Sequence, residues 1–408
     1  MTQTSASDKQ SRLRILSLAL VYPNATEPGL GLFVRARLQQ MAECAELNVI
    51  APVPLLDYLH PSQKLRPRSA VPIRRQDGRL EVYHPRWLYP PLGTPLNVFC
   101  LFARLLPLVA RIRKQFHFQV IDSHFGYPEG VVAALLAAAF HCPFTVTLRG
   151  NEIKFAQYRF RRPLIRWALR RAARVITVSE ELRKFAIGLG ADPAKVKTIP
   201  NGIDPDLFAP RDRSACRRKY HIPDGSAAIA CVGELVERKG HHLVVRALRE
   251  IVNQGIDAHV WIAGTTGRDG PGYETVIRNL AAELGLTDRV HLLGFLQRTE
   301  LPDLLSAADV FCLPSTLEGW PNVVHEASAC GAPVVATAVG GVPEMLPTQQ
   351  YGLVVRVGDQ TALDAALLLA LRKTWDRDAI SAWGRSRSWK AVAEEALQTI
   401  TESCSRKI

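Results

Sequence analysis

The sequence lacks any apolar run long enough to cross a bilayer. The longest, Val131–Phe140, has ten residues, about half of the 20 that a spanning helix needs. Arg12 and Arg14 precede the apolar segment 15–21, as in a signal peptide, but no small-residue cleavage site follows it. We therefore expect a cytoplasmic protein.

Cysteine pairs with metal-binding or redox spacing are also missing. The eight cysteines are scattered, without a Cys-x-x-Cys pair or nearby histidines at the spacing of a zinc site. Cys231, Cys312 and Cys330 lie in apolar segments, where a reduced cysteine packs as a small hydrophobe. We predict reduced core thiols, with neither disulfides nor zinc.

Acidic residues are scarce in the first half of the chain. The net charge is +13, of which residues 1–204 carry +15 and residues 205–408 carry −2. This asymmetry indicates an anionic partner for the first half. We do not expect nucleic acid, because aromatic residues are not interleaved with the basic ones and no nucleic-acid motif occurs.

Apolar strands alternate with helices along both halves. The expected strands are 13–21, 47–51, 120–123, 144–148, 175–178, 227–232, 259–263, 290–293, 310–313 and 334–337. This order predicts two doubly wound α/β domains with parallel sheets, which suits a chain of 408 residues. The turn-rich segment 199–205 marks their junction. Segment 52–95 is predicted to hold extended connections, and the first ten residues to be disordered.

Residues 313–344 carry the most specific pattern in the chain. Glu318 and Glu326 flank a turn, 319–324, between a strand and a helix whose alanine-rich part runs from Glu326 to Ala332. Such a turn lies at the carboxyl edge of an α/β sheet, where free N–H groups and the helix dipole favour an anion. Two carboxylates beside an anion site suit a ligand that carries both phosphates and hydroxyls, such as a nucleotide-sugar.

This segment resembles the signature of the family 4 retaining glycosyltransferases of the GT-B fold, which is two glutamates separated by seven residues. The resemblance covers most of the chain, including the opening block and segments 128–152, 175–185, 199–208, 231–248 and 290–295. It implies two facing Rossmann-like domains with a cleft between them. The bounds are 1–204 for the acceptor side and 205–375 for the nucleotide-sugar side. Residues 376–408 are expected to carry a helix that crosses back to the first domain.

The resemblance also implies a donor site in the second domain. It assigns Glu318 to the hydroxyls of the donor sugar and Glu326 to the ribose. The backbone amides of Asn322 and Val323 would hold the diphosphate. Backbone contacts near Gly294 and Phe295 are expected to read the base.

The loop 233–240 departs from the family pattern at one position. Many members have an arginine directly after the residue equivalent to Gly233 and a lysine five residues further on. Here Glu234 and Lys239 stand at those positions. Gly233 is a candidate donor-binding residue. We expect Lys239 to bind the diphosphate, Glu234 to point away from it, and Arg238 to supply the missing charge.

Three residues of the first half are site candidates: Gly31 for donor binding, and His124 and Arg149 as catalytic residues on the acceptor side. Gly31 lies between the first strand and the first helix, where a glycine lets the backbone approach a ligand. His124 and Arg149 each end a strand. The family commonly has histidine where Arg149 stands; an arginine cannot act as a base at neutral pH, but it can clamp an anionic acceptor or a diphosphate.

Residues 159–174 contain seven arginines and no acid. Arg162, Arg166, Arg170 and Arg174 recur every four residues, which predicts one basic face of a helix. This face is either merely solvated or lies on an anionic membrane surface. Our hypothesis is the membrane surface, which would make the protein peripheral on the inner face of the cell membrane.

The leading interpretation is retaining, metal-independent transfer of a hexosyl unit from a UDP- or GDP-sugar. We expect a lipid-linked or polyanionic glycan acceptor, as in exopolysaccharide or cell-envelope assembly. The catalytic candidates are Glu318, Lys239, His124 and Arg149. No metal or other cofactor is expected, and the Asp-x-Asp triplets at 204–206 and 376–378 are attributed to chance. The alternatives are a synthase or phosphorylase acting on small soluble acceptors, and a non-enzymatic nucleotide-sugar sensor.

Overall fold

A computed structural model of the chain describes residues 12–55, 70–89, 96–266 and 272–405. The chain divides into two compact units, Met1–Pro200 with Trp389–Ile408, and Asn201–Ser388. The second unit therefore includes residues 376–388, which had been predicted to belong to the crossing segment. The first ten residues, predicted to be disordered, lie outside the described residues.

The first unit contains ten strands and seven helices within the described residues. The strands are β1 Arg14–Leu18, β2 Glu46–Ile50, β3 Val53–Pro54, β4 Arg74–Asp77, β5 Leu80–Tyr83, β6 Arg86–Trp87, β7 Val120–Ser123, β8 Phe144–Leu148, β9 Arg174–Thr177 and β10 Val196–Thr198. The helices are α1 Leu32–Met41, α2 Leu96–Gln115, α3 Val131–Phe140, α4 Asn151–Phe155, α5 Arg161–Arg171, α6 Glu180–Gly188 and α15 Trp389–Ser405.

Eight of these strands form one sheet in the order β10-β9-β8-β7-β1-β2-β5-β4, and β3 pairs with β6. Within the larger sheet, β4 and β5 run antiparallel and the other neighbours are parallel. Buried residues of α2, α3 and α5 form a core on one face, and those of α1 and α15 form a core on the other. A parallel sheet covered on both faces explains why β7 and β8 are buried along their whole length.

The second unit contains six strands and eight helices within the described residues. The strands are β11 Ala227–Val232, β12 Ala258–Ala263, β13 Val290–Gly294, β14 Val310–Leu313, β15 Val334–Thr337 and β16 Gly352–Val355. The helices are α7 Arg213–Lys219, α8 His241–Asn253, α9 Tyr273–Glu283, α10 Leu301–Ala307, α11 Asn322–Ala329, α12 Val342–Met345, α13 Gln360–Arg372 and α14 Arg377–Gly384. The sheet order is β13-β12-β11-β14-β15-β16, all parallel. The two predicted doubly wound sheets are therefore confirmed.

Each sheet reverses its winding direction between two central strands. In the first unit the chain runs outward from β1 to β2 and then returns to place β7 on the other side of β1. In the second unit it runs from β11 through β12 to β13 and then returns to place β14 beside β11. Ligands of open α/β sheets bind at the carboxyl ends of the strands that flank such a reversal.

Two elements differ from the sequence-based expectation. Segment 52–95, predicted to hold extended connections, contains the β4–β5 hairpin, whose Asp77 accepts hydrogen bonds from Tyr22 and Arg35. The helix with Glu326 starts at Asn322 and ends at Ala329, so Glu326 lies in its second turn rather than at the start of the helical run.

The loop that precedes α8 depends on a left-handed glycine in tight contact. Gly240 has φ +72°, and a Cβ there would lie 2.4 Å from the carbonyl oxygen of Pro314. Gly255 has a similar φ of +78° but open space around it. We predict that Gly255→Ala lowers the free energy of unfolding by about 1–2 kcal/mol through backbone strain alone. Gly240→Ala should cost about 3 kcal/mol or more, because overlap adds to the strain.

Urea denaturation of the two variants beside the parent measures this difference. Equal losses for Gly240→Ala and Gly255→Ala would show that the close approach to Pro314 does not constrain the loop.

Candidate functional site

An ion pair joins the two loops that flank the winding reversal of the second sheet. Lys239 lies in the loop after β11, and Glu318 lies in the loop after β14. The Nζ atom of Lys239 is 2.6 Å from Oε1 of Glu318, and the two side chains are only 13% and 11% exposed. A short, nearly buried pair of this kind fixes the positions of both loops. It brings together two of the predicted site residues at the place where the fold favours a ligand.

The neighbouring charges of the loop are arranged around this pair. The Nη2 atom of Arg238 lies 3.4 Å from the Glu234 carboxylate, and its Nη1 atom lies 4.0 Å from Oε1 of Glu318. Glu234 and Arg238 are both exposed, whereas Lys239 is largely covered. Glu234 is thus balanced by Arg238 on the outer side of the loop, and Arg238 remains within reach of Glu318.

The amino end of α11 is open to an anion. Pro321 precedes the helix, no side chain caps it, and its first turn contains no acid. Unpaired N–H groups and the helix dipole make such an end attractive to phosphate. The side chain of Asn322 is held by Asn201, whose Nδ2 donates to Oδ1 of Asn322 at 3.0 Å. Val323 follows as the second residue of the helix.

Glu326 is a partly buried carboxylate without a hydrogen-bond or ion-pair partner in the part of the chain that the structure describes. Burial raises the pKa of Glu326 to about 7, an effect that the positive charge of Arg298 only partly opposes. A buried carboxyl group without a partner is stabilised by a ligand that donates hydrogen bonds to it. Arg298 was not identified from the sequence, since it lies in no recognised motif.

Gly233 and Gly294 lie at the carboxyl ends of two strands of the second sheet. Gly233 directly follows β11, and Gly294 is the last residue of β13. The carbonyl oxygen of Gly294 accepts a hydrogen bond from Gly264, 2.8 Å away. The Phe295 side chain that follows is 62% exposed. The structure therefore places these predicted residues at the carboxyl edge of the second sheet, with Phe295 available for contact.

The reversal of the first sheet holds the other group of predicted residues. Gly31 directly precedes α1 with φ +67°, and a Cβ there would lie 2.2 Å from the carbonyl oxygen of Val21. Only glycine fits this left-handed and crowded position. His124 directly follows β7 and Arg149 directly follows β8.

His124 is fully buried, and both of its ring nitrogens are engaged. The Nη2 atom of Arg149 lies 3.2 Å from Nδ1, and the hydroxyl of Ser17 lies 3.0 Å from Nε2. Because arginine can only donate, Nδ1 is the acceptor and Nε2 carries the proton. Burial, with the charges of Arg37 and Arg149, lowers the pKa of His124 well below its usual value. His124 therefore orients Arg149 as a neutral group, and we revise its predicted role from substrate contact to positioning.

A buried charge network that the sequence did not reveal supports this histidine. The Nη2 atom of Arg37 lies 3.2 Å from the carboxylate of Asp122, which also accepts a hydrogen bond from Thr145 at 2.6 Å. Asp122 Oδ2 lies 3.4 Å from Nε2 of His124. The sequence signal that could have identified this network is Asp122, a charged residue within a strand expected to be buried. A buried charge requires a partner.

Two further buried acids hold the loops around Arg149. Glu129 accepts a hydrogen bond from the Leu20 amide at 2.7 Å, and Glu152 accepts from the amides of Gly126 and Gly150 at 2.8 and 2.9 Å. Burial raises the pKa of Glu129 to about 8. Arg149 itself is 8% exposed, and burial lowers its pKa to about 9, so it remains a cation at neutral pH.

The predicted arginine face is only partly present. Arg162, Arg166 and Arg170 lie in α5, and all three are exposed. Arg174 is not on this face: α5 ends at Arg171, and Arg174 begins β9, buried and 3.1 Å from Glu402. The prediction for Arg174 was wrong because Ala172 adopts an extended conformation that ends the helix one turn early.

The Asp-x-Asp triplets have local structural explanations. Asp204 accepts from the amide of Leu207, and Asp376 accepts from the amide of Ala379 at the start of α14. Among the described residues, no group of three or more histidines, cysteines or acids is arranged to hold a metal. No helix in the described ranges is both long and apolar enough to cross a membrane.

Two family models match most of the chain between them. The model described as Glycosyl transferases group 1 matches residues 212–387, and the model described as Glycosyltransferase Family 4 matches residues 61–207. The first covers the Lys239–Glu318 pair and α11, and the second covers His124 and Arg149. The chain belongs to the family 4 glycosyltransferases, with the GT-B fold.

Two relatives and one solved structure are similar to this chain. One relative is the GDP-mannose-dependent monoacylated alpha-(1-6)-phosphatidylinositol monomannoside mannosyltransferase of Corynebacterium glutamicum. It is 34% identical to this chain over a region that covers 54% of this chain and 60% of the relative's length. TuaC of Bacillus subtilis, provisionally named a teichuronic acid biosynthesis glycosyltransferase, is 27% identical over 95% of this chain and 94% of its own. The crystal structure of HepE from Anabaena in complex with UDP has a TM-score of 0.72 at 22% identity, covering 95% of this chain and 100% of that chain.

The raised pKa of Glu326 predicts a pH-dependent effect on stability. A carboxyl group whose folded pKa lies above its unfolded pKa lowers the free energy of unfolding progressively as the pH rises from the unfolded pKa to the folded pKa, here about 7. Glu326→Gln should therefore raise the free energy of unfolding by about 1–2 kcal/mol near pH 8 and change it little near pH 4. The exposed Glu283→Gln is the matched control, with little effect at either pH.

Chemical denaturation at the two pH values measures both variants. A loss of stability for Glu326→Gln near pH 8 would contradict a desolvated, partnerless carboxylate.

Proposed function

We propose that the protein is a retaining glycosyltransferase that moves a hexosyl unit from a UDP- or GDP-sugar to a lipid-linked or polysaccharide acceptor. The observation that carries this proposal is the Lys239–Glu318 pair at the winding reversal of the second sheet, 2.6 Å between Nζ and Oε1. It offers a cation and a hydrogen-bond acceptor side by side, which is what a sugar joined to a diphosphate requires.

The cationic groups of this site act on the diphosphate. Lys239 neutralises the charge that develops when the diphosphate leaves, and the amides of Asn322 and Val323 hold it at the start of α11. Arg238, with an Nη1 atom 4.0 Å from Glu318 Oε1, is near enough to add a second positive charge. We propose that these groups stabilise the leaving group without a metal.

The two carboxylates act on the hydroxyls. Glu318 accepts hydrogen bonds from the donor sugar, and its ion pair with Lys239 keeps its carboxylate oriented. Glu326 has no partner among the described residues and accepts from the ribose. The resemblance to retaining enzymes implies attack on the face from which the diphosphate leaves, with the diphosphate assisting removal of the acceptor proton.

The first unit is proposed to serve the acceptor. Arg149, oriented by His124 at 3.2 Å, is 8% exposed, whereas Arg37 of the same network is 2% exposed. An acceptor with phosphate or carboxylate groups would pair with it. The Corynebacterium relative is named for a phosphatidylinositol monomannoside and the Bacillus relative for teichuronic acid, which supports an acceptor of this kind.

A membrane-surface location has structural support beyond the arginines. Tyr158 and Phe160, just before α5, are 49% and 62% exposed. Exposed aromatic side chains next to arginines are typical of segments that lie in the headgroup region of a membrane. We therefore propose that Arg162, Arg166 and Arg170 with these aromatics hold the protein at the inner face of the cell membrane.

Substitutions at the ion pair distinguish the proposed role of Lys239 at the diphosphate from that of Glu318 at the donor sugar. Lys239→Ala should weaken UDP or GDP binding by about tenfold or more while uridine or guanosine binding changes little, because the ammonium acts on phosphate. Glu318→Gln should leave diphosphate binding unimpaired, since Lys239 is released from its partner, but lower the transfer rate by about tenfold or more. The matched control is Lys219→Ala, which removes a similar pair with Asp303 (2.7 Å) elsewhere in the same unit.

Calorimetric titration with both nucleotides and their nucleosides measures binding, and release of nucleotide from the donor sugar measures transfer. Unchanged UDP and GDP binding by Lys239→Ala would exclude Lys239 from the diphosphate site. Unchanged transfer by Glu318→Gln would exclude Glu318 from the sugar site.

The basic surface of α5 predicts salt-dependent vesicle binding. Replacing Arg162, Arg166 and Arg170 by Gln should weaken binding to anionic vesicles by about two orders of magnitude, since each charge near such a surface contributes about 1 kcal/mol. Added salt should weaken binding of the parent as well. The control replaces three other exposed arginines by Gln at equal net charge: Arg111, Arg218 and Arg249.

Vesicle sedimentation measures this binding. Equal binding by the two triple variants would assign the attraction to net charge alone. In that case a synthase or phosphorylase acting on small soluble acceptors becomes the better proposal.

A further inference from the structure

A cavity of about 460 Å³ lies in the first unit, at the edge of the sheet opposite to Arg149. Phe144 and Arg174, which line it, are the first residues of β8 and β9, whereas Arg149 follows the last residue of β8. The end of α3 and the last turns of α15 complete the walls. The cavity is therefore separate from the carboxyl edge that holds His124 and Arg149, and nothing in the proposed reaction uses it.

The floor of the cavity is apolar because small side chains line it. Ala134, Ala137 and Ala138 of α3 face it together with Ala173 and Phe144. Larger residues at the alanine positions would fill the space, so the alanine-rich sequence of α3 is what leaves it open. The volume lies within the range of about 300–1,000 Å³ that is usual for small-molecule sites.

Cations surround this apolar floor. Arg171, Arg174 and Lys195 all line the cavity. Arg174 is paired with Glu402 at 3.1 Å. In the described ranges, neither Arg171 nor Lys195 has a carboxylate partner; the guanidinium of Arg171 lies 5.0 Å from the centre of the Trp167 ring. The cavity thus combines an apolar interior with positive charge that the surrounding protein does not balance.

We propose that this cavity binds an amphipathic anion, with an acyl chain against the alanine floor and a phosphate or carboxylate at Arg171 and Lys195. Alanine and phenylalanine side chains offer an alkyl chain favourable burial and offer a sugar no hydrogen bonds. The lining contains no carboxylate to receive ribose hydroxyls, which disfavours a nucleotide. The proposal concerns the first unit alone and does not depend on the donor site.

Titration of the full chain with monomeric dodecyl phosphate tests this site. Shorter alkyl phosphates should bind more weakly by about fourfold for each methylene removed, and inorganic phosphate should bind weakest, because the chain supplies most of the affinity. The double variant Arg171→Gln/Lys195→Gln should weaken dodecyl phosphate binding by about tenfold or more. The control Arg111→Gln/Lys114→Gln removes one arginine and one lysine from exposed positions of α2 in the same unit and should bind like the parent.

A second variant tests the apolar floor without altering charge. Ala138→Phe places a ring in the cavity from a position whose side chain is exposed, so folding should persist, as the thermal unfolding curve will show. This variant should also lose dodecyl phosphate binding. Equal binding by the parent, the Arg171/Lys195 variant and Ala138→Phe would overturn the proposal, as would equal binding of inorganic phosphate and dodecyl phosphate.

Competition identifies the source of such a ligand. Displacement of bound dodecyl phosphate by phosphatidylcholine vesicles that contain phosphatidic acid supports an anionic lipid taken from a bilayer. Displacement by soluble octyl phosphate but not by these vesicles supports a free acyl anion. Both results support the chemistry of the site, whereas displacement by phosphatidylcholine vesicles without anionic lipid would contradict it.

Discussion

The arrangement of the second unit depends on the ion pair between Lys239 and Glu318. The two residues are 79 positions apart in the chain, yet their side chains meet at 2.6 Å with little exposure to water. The pair is possible because β11 and β14 are neighbours where the sheet reverses its winding. Removing either partner would leave a largely buried charge unbalanced. The same pair places a cation and a carboxylate at the edge where ligands of α/β sheets bind.

In the first unit, a larger network of buried side chains positions the charged groups. Arg37, Asp122 and Arg149 lie within one buried region. Burial, with the charges of the two arginines, lowers the pKa of the histidine among them, which therefore stays neutral. Burial raises the pKa of Asp122, and Arg37 opposes this effect. Such a network costs desolvation energy that a purely apolar core would not. It fixes the orientation of Arg149, as the proposed binding of an anionic acceptor requires.

The sequence predicted the layers of the fold better than their details. Alternating apolar strands and helices were sufficient to predict two doubly wound sheets, because burial on both faces leaves a clear pattern.

The sequence did not predict the β4–β5 hairpin, because Arg74–Asp77 is polar throughout. This strand is held in place by hydrogen bonds from the distant Tyr22 and Arg35 to Asp77. Helix α2 contains Pro107, which sequence rules read as a break. Arg174 follows Arg170 at the four-residue spacing of a helical face, but it lies in strand β9. The buried network around His124 joins three strands, through Ser17, Asp122 and Thr145, with helix α1, through Arg37. No local spacing in the sequence could show these residues together.

The most direct test of the account is a crystal structure of the protein with bound UDP or GDP. The account predicts that a terminal phosphate oxygen lies within hydrogen-bond distance of Nζ of Lys239 and of an amide in the first turn of α11. It also predicts that the ribose hydroxyls donate to Glu326. A nucleotide bound elsewhere, or bound here without any contact to Lys239, would contradict the central claim that the ion pair at the winding reversal forms the donor site.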